Sequence, residues 1–163
     1  MPNNYAFIDG NNFKKRIVEM EWDLSDTRFV EYLKRKYHVT VAYYFIGYIE
    51  KNEPLYEYLR GCGYTLKFKE AVLANGSYKG NCDVEMTLHA LTEAGKYDKA
   101  IIITNDGDYA SLVEHLNGVG KLECVIACSR LNFSYLLRKL RHKVDIFYLD
   151  DFIHLVKNWG GAS

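Results

Sequence analysis

The sequence has no excess of charge of either sign. Lys and Arg together number 21, as do Asp and Glu, so the formal net charge at pH 7 is zero. Overall charge therefore gives no indication that the chain binds nucleic acid or a membrane surface. Any attraction to a polyanion would have to come from a local cluster of basic residues.

Long apolar runs and paired cysteines are absent as well. No apolar run approaches the roughly 20 residues that are needed to cross a bilayer, and no signal-peptide pattern is found. The cysteines lack the paired two-residue spacing of zinc ribbons. We expect reduced, mostly buried thiols in a soluble, cytoplasmic protein. The cysteines are Cys62, Cys82, Cys124 and Cys128.

The composition suits one compact domain. The chain has 163 residues, of which 48% are hydrophobic, and it shows no internal repeat or low-complexity segment, so we expect a single domain over residues 1–163. Short β-branched or aromatic runs alternate with helical patterns, which predicts an α/β fold with a largely parallel sheet covered on both faces. The predicted strands are 5–8, 39–46, 64–69, 100–103, 122–128 and 144–149.

Carboxylates follow two of these predicted strands. The run 100–103 leads into Asp106 and Asp108, and the run 5–8 leads into Asp9. In an open α/β sheet, ligands bind beyond the carboxyl ends of the strands, so these side chains are candidates for binding a cation or a substrate. The alternative is local: Asp108 caps the next helix, and Asp106 stabilises the turn.

The residues after Asp9 combine amides with cations. Asn11 or Asn12 can cap a helix over 13–20, and the exposed amides at its start favour an anion such as phosphate. Lys14, Lys15 and Arg16 in the first turn oppose the helix dipole. A nearby polyanion would offset that cost, although a solvated helix face is the simpler explanation.

A further carboxylate, Asp83, opens a helix that we expect to run from an Asn81 cap to Gly95. At 100° per residue, Asp83 lies at the edge of the apolar face, where it needs backbone amides, a lysine or a metal ion as a partner. The preceding glycine-rich segment 74–80 is predicted to be a mobile loop, and its Lys79 could pair with Asp83 or bind a substrate phosphate. The predicted apolar face comprises Val84, Thr87, Leu88, Ala90, Leu91 and Ala94.

The strongest basic cluster lies near the C-terminus. We expect Ser129 to cap the helix that carries it, and a phosphate-contacting surface is one interpretation. Basic residues near a helix C-terminus also complement the helix dipole, so both interpretations stay open. The cluster comprises Arg130, Arg138, Lys139, Arg141, His142 and Lys143.

Carboxylates that converge at one edge of a sheet repel each other unless a cation neutralises them. Asp9 and Asp106 end strands at the same edge, and the helix that begins with Asp83 can reach that edge. A ligand set made of oxygens, without paired histidines and cysteines, suits Mg²⁺ or Mn²⁺. The sequence therefore predicts a site for one of these ions.

Three motifs, 7–12, 79–84 and 103–109, together resemble the NYN domain family, whose members are relatives of the PIN-domain nucleases. The resemblance extends from Tyr5 to about Phe152. It implies a PIN-like three-layer α/β/α sandwich with a mostly parallel central sheet that acts as a metal-dependent ribonuclease. The family's acidic site carries over to Asp9, Asp83, Asp106 and Asp108, with Asn11 or Asn12 and Thr104 as polar neighbours.

The sequence departs from the family pattern at one position. The family usually has a second aspartate six residues after the first in the central helix, and this chain has His89 there. His89 lies about 120° around the helix from Asp83, so both are not expected to contact one ion. We expect a surface histidine, and the number of ions, one or two, stays open.

The leading hypothesis is that water bound to Mg²⁺ or Mn²⁺ hydrolyses an RNA phosphodiester. Asp9, Asp83 and Asp106 would be the metal ligands, and Asp108 would be a water-mediated ligand or a base. The alternatives are a non-catalytic RNA-binding or regulatory module with a degenerate metal site and a metal-dependent phosphatase acting on small substrates; a homodimer is also open. The expected substrate-binding residues are Asn11, Asn12, Lys79, Thr104, Arg138, Lys139 and Arg141.

Overall fold

The computed structural model describes residues 1–79 and 81–158, without the side chains of residues 77–79. A six-stranded sheet lies at its centre, in the order β3-β2-β1-β6-β7-β8, and every neighbouring pair is parallel. The predicted mostly parallel sheet is therefore confirmed. Its strands are β1 (Asn4–Asp9), β2 (Val39–Tyr48), β3 (Thr65–Glu70), β6 (Ala100–Ile103), β7 (Leu122–Ala127) and β8 (Ile146–Tyr148).

Helices cover both faces of this sheet. Successive strand residues point to opposite faces, so Ile101 and Ile103 belong to one apolar core, and Ala100 and Ile102 belong to the other. α2, α3 and α7 pack on the first core, and α4, α5 and α6 pack on the second, which confirms the three-layer sandwich. The helices are α1 (Gly10–Glu19), α2 (Asp26–Tyr37), α3 (Glu53–Cys62), α4 (Asp83–Thr92), α5 (Ala110–Gly118), α6 (Tyr135–Arg138) and α7 (Leu149–Val156).

The segment predicted to be a mobile loop, 74–80, forms most of a β-hairpin. β4 (Val72–Ala74) pairs antiparallel with β5 (Ser77–Lys79), and Gly80 lies outside the described residues. Asn75 and Gly76 connect the strands with φ angles of 50° and 79°. Two consecutive positive φ angles are typical of the type I′ hairpin turn that Asn-Gly favours. This dipeptide was the signal that the sequence interpretation missed.

The strand order reverses between β1 and β6. From β1 the chain proceeds outwards to β2 and β3, and from β6 it proceeds in the opposite direction to β7 and β8. Ile8 lies beside Ile103 in the parallel register, so the residues that follow both strands meet at one edge. Ligands in open α/β sheets bind at such a reversal point, and here it brings Asp9 and Asp106 together.

The burial of the cysteines and the lengths of the helices agree with the expectations from the sequence. All four cysteines are buried thiols outside any disulfide, as expected, and burial raises the pKa of the Cys82, Cys124 and Cys128 thiols. Among the described residues, no helix has both the length and the apolar character needed to span a bilayer.

Gly10→Ala should destabilise the fold, because α1 begins directly against β2. A Cβ at Gly10 would lie 2.6 Å from the carbonyl oxygen of Phe45 and closer still to the Tyr44 ring. Backbone cannot yield as a side chain can, so we expect a loss of about 1–3 kcal/mol in the free energy of unfolding, measured in urea.

Gly61→Ala in α3 is the matched control. A Cβ there meets nothing within 4 Å, and alanine favours a helix interior by about 0.5–1 kcal/mol relative to glycine. If the two variants were equally stable, α1 would not approach β2 this closely.

Candidate metal centre

Asp9 ends β1 and starts α1. One oxygen of its carboxylate accepts a hydrogen bond from the backbone N–H of Asn12 at 3.5 Å, so Asp9 is the N-cap and the helix begins at Gly10. The predicted asparagine cap and start at residue 13 were wrong. Asn12 instead accepts a hydrogen bond from the backbone N–H of Asn105 at 2.9 Å through its side-chain oxygen. This bond ties α1 to the loop after β6.

Thr104 connects Asp9 to Asp106. Its hydroxyl donates to the second carboxylate oxygen of Asp9 at 3.0 Å and accepts the backbone N–H of Asp106 at 3.0 Å. Asp106 in turn accepts the backbone N–H of Asp108 at 2.9 Å and caps the 3₁₀ turn Gly107–Tyr109. The stabilising role predicted for Asp106 in the turn is thus confirmed, and it coexists with a place beside Asp9.

Asn105 was not a candidate from the sequence, yet it fixes the loop that carries Asp106. Its side chain is 2% exposed, donates to the carbonyl oxygens of Ser129 and Leu131 at 3.0 and 3.1 Å, and accepts the N–H of Cys128 at 2.7 Å. These partners lie more than 20 residues away. A local pattern could not have indicated them.

Asp83 is the first residue of α4, and the side chain of Asn81 contacts it twice. The Asn81 oxygen accepts the backbone N–H of Asp83 at 2.8 Å, and the Asn81 amide donates to its carboxylate at 3.3 Å. The helix ends at Thr92 and not at Gly95. These contacts leave the Asp83 carboxylate half-buried on the side of Asp9.

The apolar face predicted for this helix was largely wrong. Val84 and Leu88 are 62% and 56% exposed, whereas Met86 and Ala90 are fully buried. The buried face follows the i, i+4 row through Cys82, Met86 and Ala90, which packs against aromatic side chains of the sheet. Plotting side-chain types around the helix could not show which face meets the sheet.

Oxygen atoms of Asp9, Asp83 and Asp106 all lie within 4.8 Å of one another. Asp9 is only 6% exposed. The pKa of Asp9 is raised to about 7, mainly by burial; the charges of Asp83 and Asp106 contribute to the rise, and the hydrogen bonds from Thr104 and Asn12 oppose it. Burial likewise raises the pKa of Asp83, as do the carboxyl groups of Asp108 and Asp106. Such a crowded all-oxygen set fits a hard divalent cation, which would neutralise it.

The Asp108 side chain is exposed and lies beside Asp83, but it is outside the set of three converging carboxylates. The sequence-predicted group of four therefore divides into three that converge and one that is exposed beside Asp83.

Tyr109 lies beneath this group and was not a candidate from the sequence. Its ring is fully buried, and its hydroxyl has no well-formed hydrogen bond among the described residues. The hydroxyl nevertheless lies close enough to Asp83 to favour the charged carboxylate, which partly opposes the rise in the pKa of Asp83. A buried donor directed at a carboxylate is a feature of a site that holds negative charge.

His89 is not the surface residue that we expected. Its side chain is 20% exposed and packs edge-on against the Tyr43 ring at a centroid distance of 4.5 Å. Burial lowers the pKa of His89, while Glu93 partly opposes the shift. His89 is not in the converging set, and that it does not share an ion with Asp83 stays a prediction.

An open cleft of about 230 Å³ contains the three carboxylates, and two cations of α1 also line it. Lys15 is exposed, but Arg16 is 8% exposed, so the solvated face expected for this run is wrong for Arg16. The other residues that line the cleft are Asn11, Asn12, Asn81 and Cys82.

The C-terminal basic cluster does not line this cleft. Ser129 is fully buried, and Ser134, not Ser129, caps the short α6. Within the cluster, α6 and the 3₁₀ turn Lys139–His142 carry Arg138, Lys139, Arg141 and His142, whereas Arg130 and Lys143 lie outside both elements. Arg138 borders a separate pocket with Arg130 and Tyr148, and the side chain of Lys79 lies outside the described residues. Arg138, Lys139 and Arg141 are exposed.

A family model for the NYN domain matches residues 5–148, whereas no curated protein sequence matches the chain. Among solved structures, a protein of unknown function from Vibrio parahaemolyticus, VPA0982, is similar over 92% of this chain and 94% of its own, with 22% identity and a TM-score of 0.76. T5 5'-exonuclease, solved with bound zinc ions, is similar over 86% of this chain and 60% of its own, with 14% identity and a TM-score of 0.52. At these identities, both structures support the fold alone.

The metal-free protein should lose stability as the pH rises from about 4 to about 7. Because the pKa of Asp9 is higher in the folded chain, the folded state binds the extra proton in this interval, and deprotonation favours unfolding. Asp9→Asn should flatten this slope and raise the free energy of unfolding near neutral pH by about 1–3 kcal/mol, measured by urea unfolding in a chelator.

Asp145→Asn, at an exposed aspartate just before β8, is the control and should keep the wild-type slope. Mn²⁺ should stabilise the wild type near neutral pH but not Asp9→Asn. An unchanged slope of stability against pH in Asp9→Asn would mean that the surroundings of Asp9 do not raise its pKa.

Tyr109→Phe should weaken Mn²⁺ binding about tenfold, as the loss of a group that supports a metal ligand does, while the free energy of unfolding stays equal or rises. The reason is that this hydroxyl is buried without a well-formed hydrogen bond. Calorimetry would measure the affinity.

Tyr97→Phe is the matched control, because the Tyr97 hydroxyl donates to the carbonyl oxygen of Ala90 at 2.6 Å. That variant should lose about 1 kcal/mol of stability and bind Mn²⁺ normally. The opposite pattern would show that Tyr109 has no part in the metal centre.

Proposed function

The chain belongs to the NYN domain family, and we propose that it is a metal-dependent endoribonuclease. The observation that carries this proposal is the convergence of Asp9, Asp83 and Asp106 within 4.8 Å at the point where the strand order reverses. Three carboxylates held this closely in a partly buried site are stable together when a cation binds them. Nucleic-acid phosphates are a matching substrate for such a centre.

We assign Asp9, Asp83 and Asp106 as the ligands of Mg²⁺ or Mn²⁺, which prefer oxygen donors. When bound, the ion would supply Lewis-acid polarisation of a phosphate oxygen and activation of the attacking water. Thr104 orients two of the ligands, since its hydroxyl bonds both the Asp9 carboxylate and the Asp106 backbone. Tyr109 favours the charged form of the third.

Asp108 is the proposed base. Its carboxylate is exposed next to Asp83 and is not one of the three proposed ligands, so it would be available to accept a proton. It would accept the proton as the water attacks the phosphorus, and the leaving sugar oxygen would take up a proton from solvent.

The shape of the cleft favours a polymeric substrate. The cleft is open and bordered by exposed Asn11 and Lys15, so a strand can lie across it, whereas a phosphatase acting on small molecules would need a closed pocket. We propose RNA as the strand, from the family to which the chain belongs. Asn11 and Asn12 would contact the sugar-phosphate backbone, and the exposed Arg138, Lys139 and Arg141 would hold more distant phosphates.

A non-catalytic RNA-binding module is the second candidate, and His89 favours it. The imidazole is packed against Tyr43 and Phe45, at the position where the family usually carries an aspartate. It therefore offers no charge to a second ion. If cleavage required two ions, this protein would bind RNA without cleaving it.

Asp106→Asn should reduce cleavage of a mixed RNA pool in Mn²⁺ by at least about 100-fold, which is the upper end of the loss for groups that merely support a metal ligand. The amide keeps an oxygen that can accept the N–H of Asp108, so the turn should survive. Asp98→Asn, an exposed aspartate that accepts the N–H of Asn3 at 2.7 Å, is the control and should cleave normally.

Undiminished cleavage by Asp106→Asn would reject this site. If the wild type cleaves in no divalent metal but binds RNA with a strong salt dependence, the non-catalytic module is correct.

A further inference from the structure

Arg16 has a donor that nothing in the described chain satisfies. Its side chain is 9% exposed, and it pairs with Glu19 at 3.0 Å through one terminal nitrogen. The inner nitrogen, Nε, is buried and has no hydrogen-bond partner among the described residues. The same side chain lines the cleft that contains Asp9, Asp83 and Asp106.

Among the described residues, Arg16 forms no ion pair with the three carboxylates of the cleft; the ion pair it makes is with Glu19. A guanidinium and a carboxylate can share a cleft in this way when space for a third group lies between them. In the part of the chain that the structure describes, Glu19 is the one carboxylate that pairs with Arg16, and the amide of Asn132 contacts Glu19 as well at 3.4 Å.

The chemistry of this arrangement matches a phosphate. A guanidinium presents parallel N–H groups that bind two phosphate oxygens at once. Lys15 lies beside Arg16 on the border of the cleft and adds a mobile positive charge. Leaving a buried donor unsatisfied is costly, and a rotation of the guanidinium towards a bound phosphate would give the covered Nε an acceptor.

We propose that Arg16, assisted by Lys15, binds a phosphate of the nucleic-acid strand adjacent to the phosphate held at the three carboxylates. This subsite rests on the proposed function. It would place the strand along α1 and fix which phosphodiester reaches the metal centre.

The test uses a fluorescent single-stranded RNA oligonucleotide with Ca²⁺ in place of Mn²⁺, so that binding is measured without turnover. Arg16→Met should weaken binding about tenfold and lower the slope of log affinity against log salt by about 1. Arg16→Lys keeps the charge but loses Nε and the planar fork, so its affinity for the RNA should lie between those of the wild type and Arg16→Met.

Two controls separate this role from a structural one. Lys14→Gln removes an exposed cation from the same helix, but Lys14 lines a different cavity, with Trp22 and Asp26, so binding should not change. Glu19→Gln removes the ion-pair partner of Arg16 and should bind RNA at least as tightly as the wild type. If Arg16 only formed the ion pair with Glu19, Glu19→Gln and Arg16→Met would show the same loss in the free energy of unfolding and the same change in RNA affinity.

Affinity and salt slope that stay at wild-type values in both Arg16→Met and Arg16→Lys would overturn the subsite. Its failure is distinguishable from that of the nuclease proposal. A wild type that cleaves RNA in Mn²⁺, with kcat and KM unchanged in Arg16→Met, refutes the subsite alone. If the wild type never cleaves RNA but Arg16→Met binds RNA more weakly than the wild type, hydrolysis is refuted and the subsite is retained.

Discussion

The buried carboxylate of Asp9 is the group on which the candidate site depends. It is 6% exposed and accepts hydrogen bonds from the Thr104 hydroxyl and the Asn12 N–H, while Asp83 and Asp106 repel its charge. Local preference would move such a group towards water. It stays in place because β1 is buried at the centre of the sheet and because Gly10 lets the chain turn directly against β2. The apolar core therefore provides the free energy that holds like charges together.

The groups that form the site also form the fold around it. Asp9 caps α1 and Asp106 caps the 3₁₀ turn that leads into α5, while Asn105 ties the loop after β6 to the end of β7. Each cap uses one carboxylate oxygen, and a carboxylate has further acceptor positions. Asp9 and Asp106 can therefore cap a helix and coordinate a cation at once. Isosteric asparagine variants keep the caps and change the charge, which is why they separate the two roles better than alanine would.

The sequence was informative wherever a property is local. Buried β-branched runs marked the strands, and the polar residues after them marked the edge where Asp9 and Asp106 meet. Contacts between distant segments were not visible: Asn12 looked like a helix cap because its partner Asn105 lies 93 residues away. The orientation of α4 could not be predicted either, because it depends on packing against β2. The aromatic side chains of β2 cover His89, whereas Val84 is exposed. Side-chain type alone predicts the buried face of a helix only when one face has clearly more apolar residues than the others.

A chain with zero net charge attracts a polyanion only where its charges are separated. Here the separation occurs within one cleft, since the carboxylates lie at the ends of β1 and β6 and at the start of α4, whereas Lys15 and Arg16 lie on α1. The carboxylates alone would repel a nucleic-acid strand, and the cations alone would bind it without chemistry. A dication would offset two of the three negative charges, so that Lys15 and Arg16 would then give the lining of the cleft a positive sum. Metal binding and binding of a polyanion would then be linked, because the charges that line the cleft sum to a positive value only after the ion is bound.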